Sequence, residues 1–112
     1  MLPKKFRLSR EEFKQVMDGG QMVSGKLMGI LIVRKKEEGR RKKELTKAGI
    51  IVSKKLSNRA VVRNKLKRRL RAALQNILPE FSDIHLVVLP NRRAIEATVE
   101  ELKNEIVNIL QK

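Results

Sequence analysis

Ala48-Gly-Ile-Ile-Val-Ser53, then Lys54-Lys-Leu-Ser-Asn-Arg-Ala-Val-Val-Arg-Asn-Lys-Leu-Lys-Arg-Arg-Leu-Arg71 running on to Leu78-Pro79, and finally Ile84-His-Leu-Val-Val-Leu89 read as strand, helix and strand in succession. The two flanking pieces are short, apolar and rich in β-formers. Between them, from about Asn58 to Leu78, Val62, Leu66, Leu70, Ala73, Leu74 and Ile77 recur at helical spacing, and Pro79 marks the stop. Two strands joined through a helix imply a sheet with at least one parallel pair.

Outward from this unit the punctuation is equally legible. Upstream, Ser9 and Glu12 have the spacing of a capping box, with Leu8 and Phe13 at the two positions of a hydrophobic staple. Phe13, Val16 and Met17 form an apolar stripe, and Gly19-Gly20 end the helix. Lys26 to Val33 predicts a further strand. Arg34 to Lys47 is too charged to be core and is expected to form an exposed, mobile hairpin connection. Downstream, Asn91 to Glu96 reads as a loop or irregular turn. Thr98 and Glu101 repeat the capping-box pattern before a last helix carrying Val99, Leu102, Ile106, Ile109 and Leu110 on one face. The expectation is a single domain over residues 1–112, of the α+β class. Its elements follow the order α-β-β-α-β-α, with three helices packed on one small mixed sheet.

Charge narrows the function. The 112 residues carry a formal net charge of +15, well beyond what solubility needs, and such an excess points to a polyanion. It is also concentrated: Leu45 to Pro79 contains ten Lys or Arg and no Asp or Glu. A solvated helix face ordinarily intersperses acids that pair at i,i+4, so their absence favours polyanion binding. At 100° per residue, Asn64, Lys65, Lys67, Arg68 and Arg71 fall opposite the apolar stripe, and Arg63 and Arg69 lie at its edges. Arginine forks grip phosphate oxygens in pairs, and an asparagine can address a ribose or a base edge.

Other chemistry is poorly provided for. There is no cysteine and one histidine, His85, so disulfides, thiolate sites and nucleophile–base pairs are not expected. Adjacent acids such as Glu11-Glu12 and Glu100-Glu101 diverge by about 100° on a helix and make poor acid/base pairs. The glycines lack phosphate-loop spacing. No run approaches the ~20 apolar residues of a membrane span, and no apolar signal core follows the basic start, so a cytoplasmic location is expected.

Ser53-Lys54-Lys55 followed by Ala60-Val-Val-Arg63-Asn64-Lys65-Leu66-Lys67-Arg68-Arg69 resembles the signature of the bacterial ribonuclease P protein component, an Arg-Asn-Arg/Lys core, an apolar residue and a basic pair. The resemblance extends to Arg7-Leu8, the helix with Phe13, the later strand and the final helix. It implies a non-catalytic protein subunit that binds the catalytic RNA through Arg63, Asn64, Lys65, Lys67, Arg68, Arg69 and Arg71. It also implies a cleft for the 5′ leader of precursor tRNA near Phe13, Met17, Lys54 and Lys55. Mg2+, held mainly by RNA and substrate, would serve the cleavage, and a left-handed strand–helix–strand crossover comes with the family. Met17 and Leu31 stand where relatives often carry aromatic residues. Without the resemblance, Phe13 reads first as a core or staple residue, and Met17, on the apolar stripe of its helix, reads so more strongly still. A ribosomal RNA-binding protein is then the main alternative, ahead of a DNA-binding regulator or a membrane-surface role.

Overall fold

A computed structural model describes residues 2–34 and 44–111. Its elements are α1 (Arg10–Gly19), β1 (Gln21–Ser24), β2 (Met28–Arg34), β3 (Lys47–Ile50), α2 (Ala60–Ile77), β4 (Ile84–Pro90) and α3 (Val99–Gln111). Short 3-10 turns lie at Lys4–Phe6, Leu78–Glu80 and Arg92–Glu96. The four strands form one sheet in the order β1-β2-β4-β3. β2 runs antiparallel to both β1 and β4, whereas β3 and β4 are parallel, joined through α2.

Both capping boxes close. Ser9 N–H donates to Glu12 Oε1 at 2.8 Å and Glu12 N–H to Ser9 Oγ at 3.2 Å. At α3 the reciprocal bonds between Thr98 and Glu101 are 3.0 and 3.1 Å. Each pair satisfies amide donors that a helix start otherwise leaves open. Leu8 and Phe13 converge on the backbone of Gly49, as a staple requires.

Alternation along the strands sorts side chains to two faces. On the rear face Met28, Ile30, Ile32, Ala48, Ile84, Leu86 and Val88 meet Leu66, Leu70, Ala73, Leu74 and Ile77 of α2 and Leu102, Ile106, Ile109 and Leu110 of α3. All of these are buried, so two helices and one sheet face make the core. Val62, placed on the same stripe by its spacing, is only half-buried. Leu2 and Phe6 join this core from the N-terminal segment, and Arg7 bridges in parallel to Ala48 beside β3.

The front face carries α1 alone. Glu12 reaches the row formed by Lys47 and His85, Phe13 lies one row further along the strands on Gly49, and Gly20 sits beside Leu31. The helix thus crosses the sheet near the end where β3 and β4 begin and leaves the opposite end of the front face uncovered.

Four expectations change. Residues 21–24 form a fourth strand, which the sequence hides because four residues between glycines give almost no periodicity. The segment between β2 and β3 is not a hairpin connection, since both strands pair with β4 and not with each other; its expected mobility concerns residues 35–43, outside those described. The strand expected to reach Ser53 stops at Ile50, and the expected loop or irregular turn after Asn91 is a regular 3-10 turn at Arg92–Glu96, with Asn91 Oδ1 accepting from Arg93 N–H at 2.9 Å.

Candidate nucleic-acid interface

α2 turns its cations in three directions. Asn64, Lys65 and Arg68 are exposed. Arg63, Lys67 and Arg71 succeed one another at four-residue intervals on the flank toward β3. Arg63 is held there, its Nη1 donating to the Ser57 carbonyl at 2.7 Å. Arg69 takes the opposite flank, where its Nη1 donates to the carbonyls of Ile95 at 2.6 Å and Ala97 at 3.0 Å. Of the seven α2 residues singled out from sequence, Arg69 is therefore also a tie between α2 and the lead-in to α3. No acidic residue stands in the first turn of α2, so the positive end of the helix adds to these cations instead of being neutralised. A polyanion laid along this face relieves that repulsion.

Lys54 and Lys55 stand exposed in the turn after β3, which Leu56 anchors by burying its side chain and donating its N–H to the Ser53 carbonyl at 3.2 Å. Within the same connection, Arg59 N–H donates to Ser57 Oγ at 3.2 Å, shaping the approach to α2.

The β3 flank of α2 meets the front face in a cleft of about 310 Å³, lined by Leu2, Arg7, Leu8, Phe13, Ala48, Gly49, Ile50, Lys67 and Arg71. Phe13 forms one wall. A Cβ on Gly49 would lie 3.0 Å from its ring, so a side chain there would push the ring outward by a few tenths of an ångström. Three cations, Arg7, Lys67 and Arg71, and an aromatic ring thus share one groove, although sequence reading assigns Lys67 and Arg71 to one surface and Phe13 to another. Met17, one turn after Phe13 on the same side of α1, is 40% exposed. Lys54 and Lys55 do not line this groove; they lie in the turn that follows the far end of β3.

One cluster escaped sequence reading. Glu12 Oε2 lies 3.1 Å from Lys47 Nζ and 3.6 Å from Nε2 of the buried His85. Partial burial pushes the Glu12 carboxyl up, but the Ser9 N–H, the Lys47 ammonium and the Ser9 hydroxyl outweigh it and hold the pKa at about 2. The carboxylate that caps α1 also clamps it to the sheet. The only available signal was the capping box, because the Lys47–His85 pairing exists only once β3 and β4 are in register.

Among the described residues no group of three or more His, Cys, Asp or Glu could hold a metal ion, and no helix is long and apolar enough to cross a membrane.

Comparison with known proteins agrees with this architecture. The Ribonuclease P family model matches residues 2–112. A ribonuclease P protein component from a Pseudanabaena species is 35% identical over 114 residues, covering all of this chain and 94% of the relative. One from a Picosynechococcus species is 32% identical, covering 97% and 90%. Among solved structures, a mutant RNase P protein of Staphylococcus aureus superposes with a TM-score of 0.76 at 25% identity, covering 96% of this chain and 87% of the other. The RNase P protein of Thermotoga maritima shares the fold with a TM-score of 0.74 at 22% identity and 94% coverage of both. Matched along almost its whole length in sequence and in fold, the chain belongs to the ribonuclease P protein component family, the protein subunit of a ribonucleoprotein that acts in tRNA processing.

Proposed function

We propose that α2 binds the catalytic RNA of ribonuclease P while the groove beneath α1 holds the 5′ leader of precursor tRNA. Leader and RNA subunit thereby converge on one positively charged edge. The observation that carries this reading is the shared groove, where Lys67 and Arg71 of the acid-free helix stand beside Phe13 and Gly49. Phosphates need the cations and an unpaired base needs an apolar wall.

In this reading Arg63, Asn64, Lys65, Lys67, Arg68 and Arg71 face phosphates and riboses of the RNA subunit, and Arg69 adds to them while fixing α2 to residues 95–97. Phe13 and Met17 line the leader path, which Lys54 and Lys55 meet at the far end of the sheet. The protein contributes position and charge, and supplies no nucleophile or general base. Neutralising crowded phosphates lowers the Mg2+ concentration needed for substrate binding and cleavage, with the ions held mainly by RNA and substrate.

The test is 5′ maturation of a precursor tRNA by a bacterial ribonuclease P RNA at low Mg2+, with and without this protein. Cleavage at the mature 5′ end that depends on the protein supports the proposal. Tight binding to structured RNA without activation of a cognate ribonuclease P RNA overturns it in favour of a ribosomal RNA-binding role.

A further inference from the structure

The end of the sheet that α1 leaves uncovered gathers a charge pattern that the sequence scatters over three segments. β2 begins there at Met28, paired with Pro90 at the end of β4, and Ile50 at the end of β3 pairs with Val88. Residues 19–34, 45–79 and 84–95 supply these strands and the turns beyond them, and none of the three stretches contains an Asp or Glu. Lys26 in the β1–β2 turn, Arg92 and Arg93 after β4, and Lys54 and Lys55 after β3 are all exposed. Neighbouring strands lie about 4.8 Å apart, so the three turns stand side by side in the order β2, β4, β3.

Hydrogen bonds fix the Lys26 corner of this row. Asn91 Nδ2 donates to the Lys26 carbonyl at 2.8 Å and Asn91 Oδ1 accepts from Arg93 N–H at 2.9 Å, so one side-chain amide holds the two residues together. Asn91 N–H donates to the Leu27 carbonyl at 2.9 Å. The carboxylate beside the turn, Glu105, accepts the N–H groups of Lys26 and Leu27 at 2.8 Å each, which occupies both of its oxygens. All of these bonds use the main chain of Lys26 and Arg93, and none uses their side chains. A folded protein partner would need acids placed to match cations on three separate turns. A flexible strand with one phosphate per nucleotide meets such a row without that requirement.

We propose that Lys26 and Arg93 are further phosphate contacts of the bound single strand, carrying the leader from Lys54 and Lys55 across the uncovered end of the sheet. The inference rests on the leader-binding reading above. Solvated cations on turns fixed through their backbone follow phosphates and not base edges. The track therefore lengthens the footprint on the leader without adding sequence preference.

The experiment uses the reconstituted holoenzyme and measures affinity for mature tRNA and for precursor tRNAs with leaders of about two and about ten nucleotides. Lys26→Ala combined with Arg93→Ala is expected to weaken the long-leader substrate about three- to tenfold and to leave the other two unchanged. The slope of log affinity against log salt for the long leader should become shallower by about 1.4, the value for two single-strand phosphates. Lys26→Arg combined with Arg93→Lys should bind as the wild type does, because charge and not side-chain shape is read. If the alanine variant binds the long leader as the wild type does, or weakens all three substrates alike, the inference is overturned although the leader reading stands. The second of these results assigns the cations to the RNA subunit or to the tRNA body. If the wild type itself does not prefer leadered substrate over mature tRNA, the leader reading fails and the inference falls with it.

Discussion

α2 and α3 pack side by side on the same sheet face, yet only one presents an outer surface free of acids. Their inner faces are interchangeable in kind: Leu66, Leu70 and Leu74 on α2, Leu102, Ile106 and Leu110 on α3, all buried in one core. Their outer faces are opposites. α2 has no acid over 18 residues, whereas α3 mixes Glu100, Glu101, Lys103 and Glu105. The acids of α3 also have assignments in the fold. Glu101 closes a capping box and Glu105 fastens the β1–β2 turn through two backbone N–H groups. Inner faces therefore identify a fold, and outer faces identify a partner. Cations left without acids are the ones available to a polyanion.

The comparison breaks first if the inner faces are not equivalent. Leu70→Ala and Leu102→Ala are each expected to cost about 2–5 kcal/mol in unfolding free energy, since both side chains are fully buried. Denaturant unfolding checks this, and a small loss at either position would separate the helices structurally.

Reversing charge on the outer face comes next. Lys67→Glu combined with Arg71→Glu is expected to weaken RNA-subunit binding by at least about 100-fold, because each charge-assisted contact is worth about 1.5–3 kcal/mol. The slope of log affinity against log salt should also become shallower. An unchanged slope would remove these residues from the interface.

A single truncation sharpens the contrast. Arg68→Ala is expected to weaken RNA-subunit binding about tenfold, and Lys103→Ala on α3 less than about twofold. Equal losses in a filter-binding or fluorescence titration would mean that general charge, not the α2 face, sets affinity.

The smallest effect belongs to α1, where the Glu12 carboxylate adds an ionic clamp to the apolar packing of Phe13 and Val16. Because the folded pKa of Glu12 is lowered from 4.5 to about 2, its contribution is fully present above about pH 4.5 and fades as pH falls toward 2. Glu12→Gln should therefore reduce stability modestly near neutrality and flatten that acid limb of the pH–stability curve. A limb identical to that of the wild type would show that the Lys47–Glu12 contact contributes nothing measurable.

Much of this was readable one residue at a time. The stripe from Leu66 to Ile77, both capping boxes and the acid-free run follow from periodicity, local hydrogen bonding and charge, all of which act over a few residues. The Arg63-Asn64-Lys65 core with its basic pair carried the family. β1 was not readable, because a four-residue edge strand is specified by its neighbour β2 and not by its own pattern. Nor was the pairing order, in which β4 enters between β2 and β3.

By itself, then, the sequence determined where the three long helices lie, which faces are apolar, and that α2 carries an acid-free cationic surface. Only the tertiary structure decided that Arg69 ties α2 to residues 95–97, that Lys67 and Arg71 share a groove with Phe13, and that Glu12 clamps α1 through Lys47 beside His85. The physical reason is separation along the chain: these partners lie 26 to 73 residues apart or meet only through strand register, and no local preference encodes such a meeting. It follows from the way one sheet, covered by helices on both faces, folds remote side chains onto the same edge.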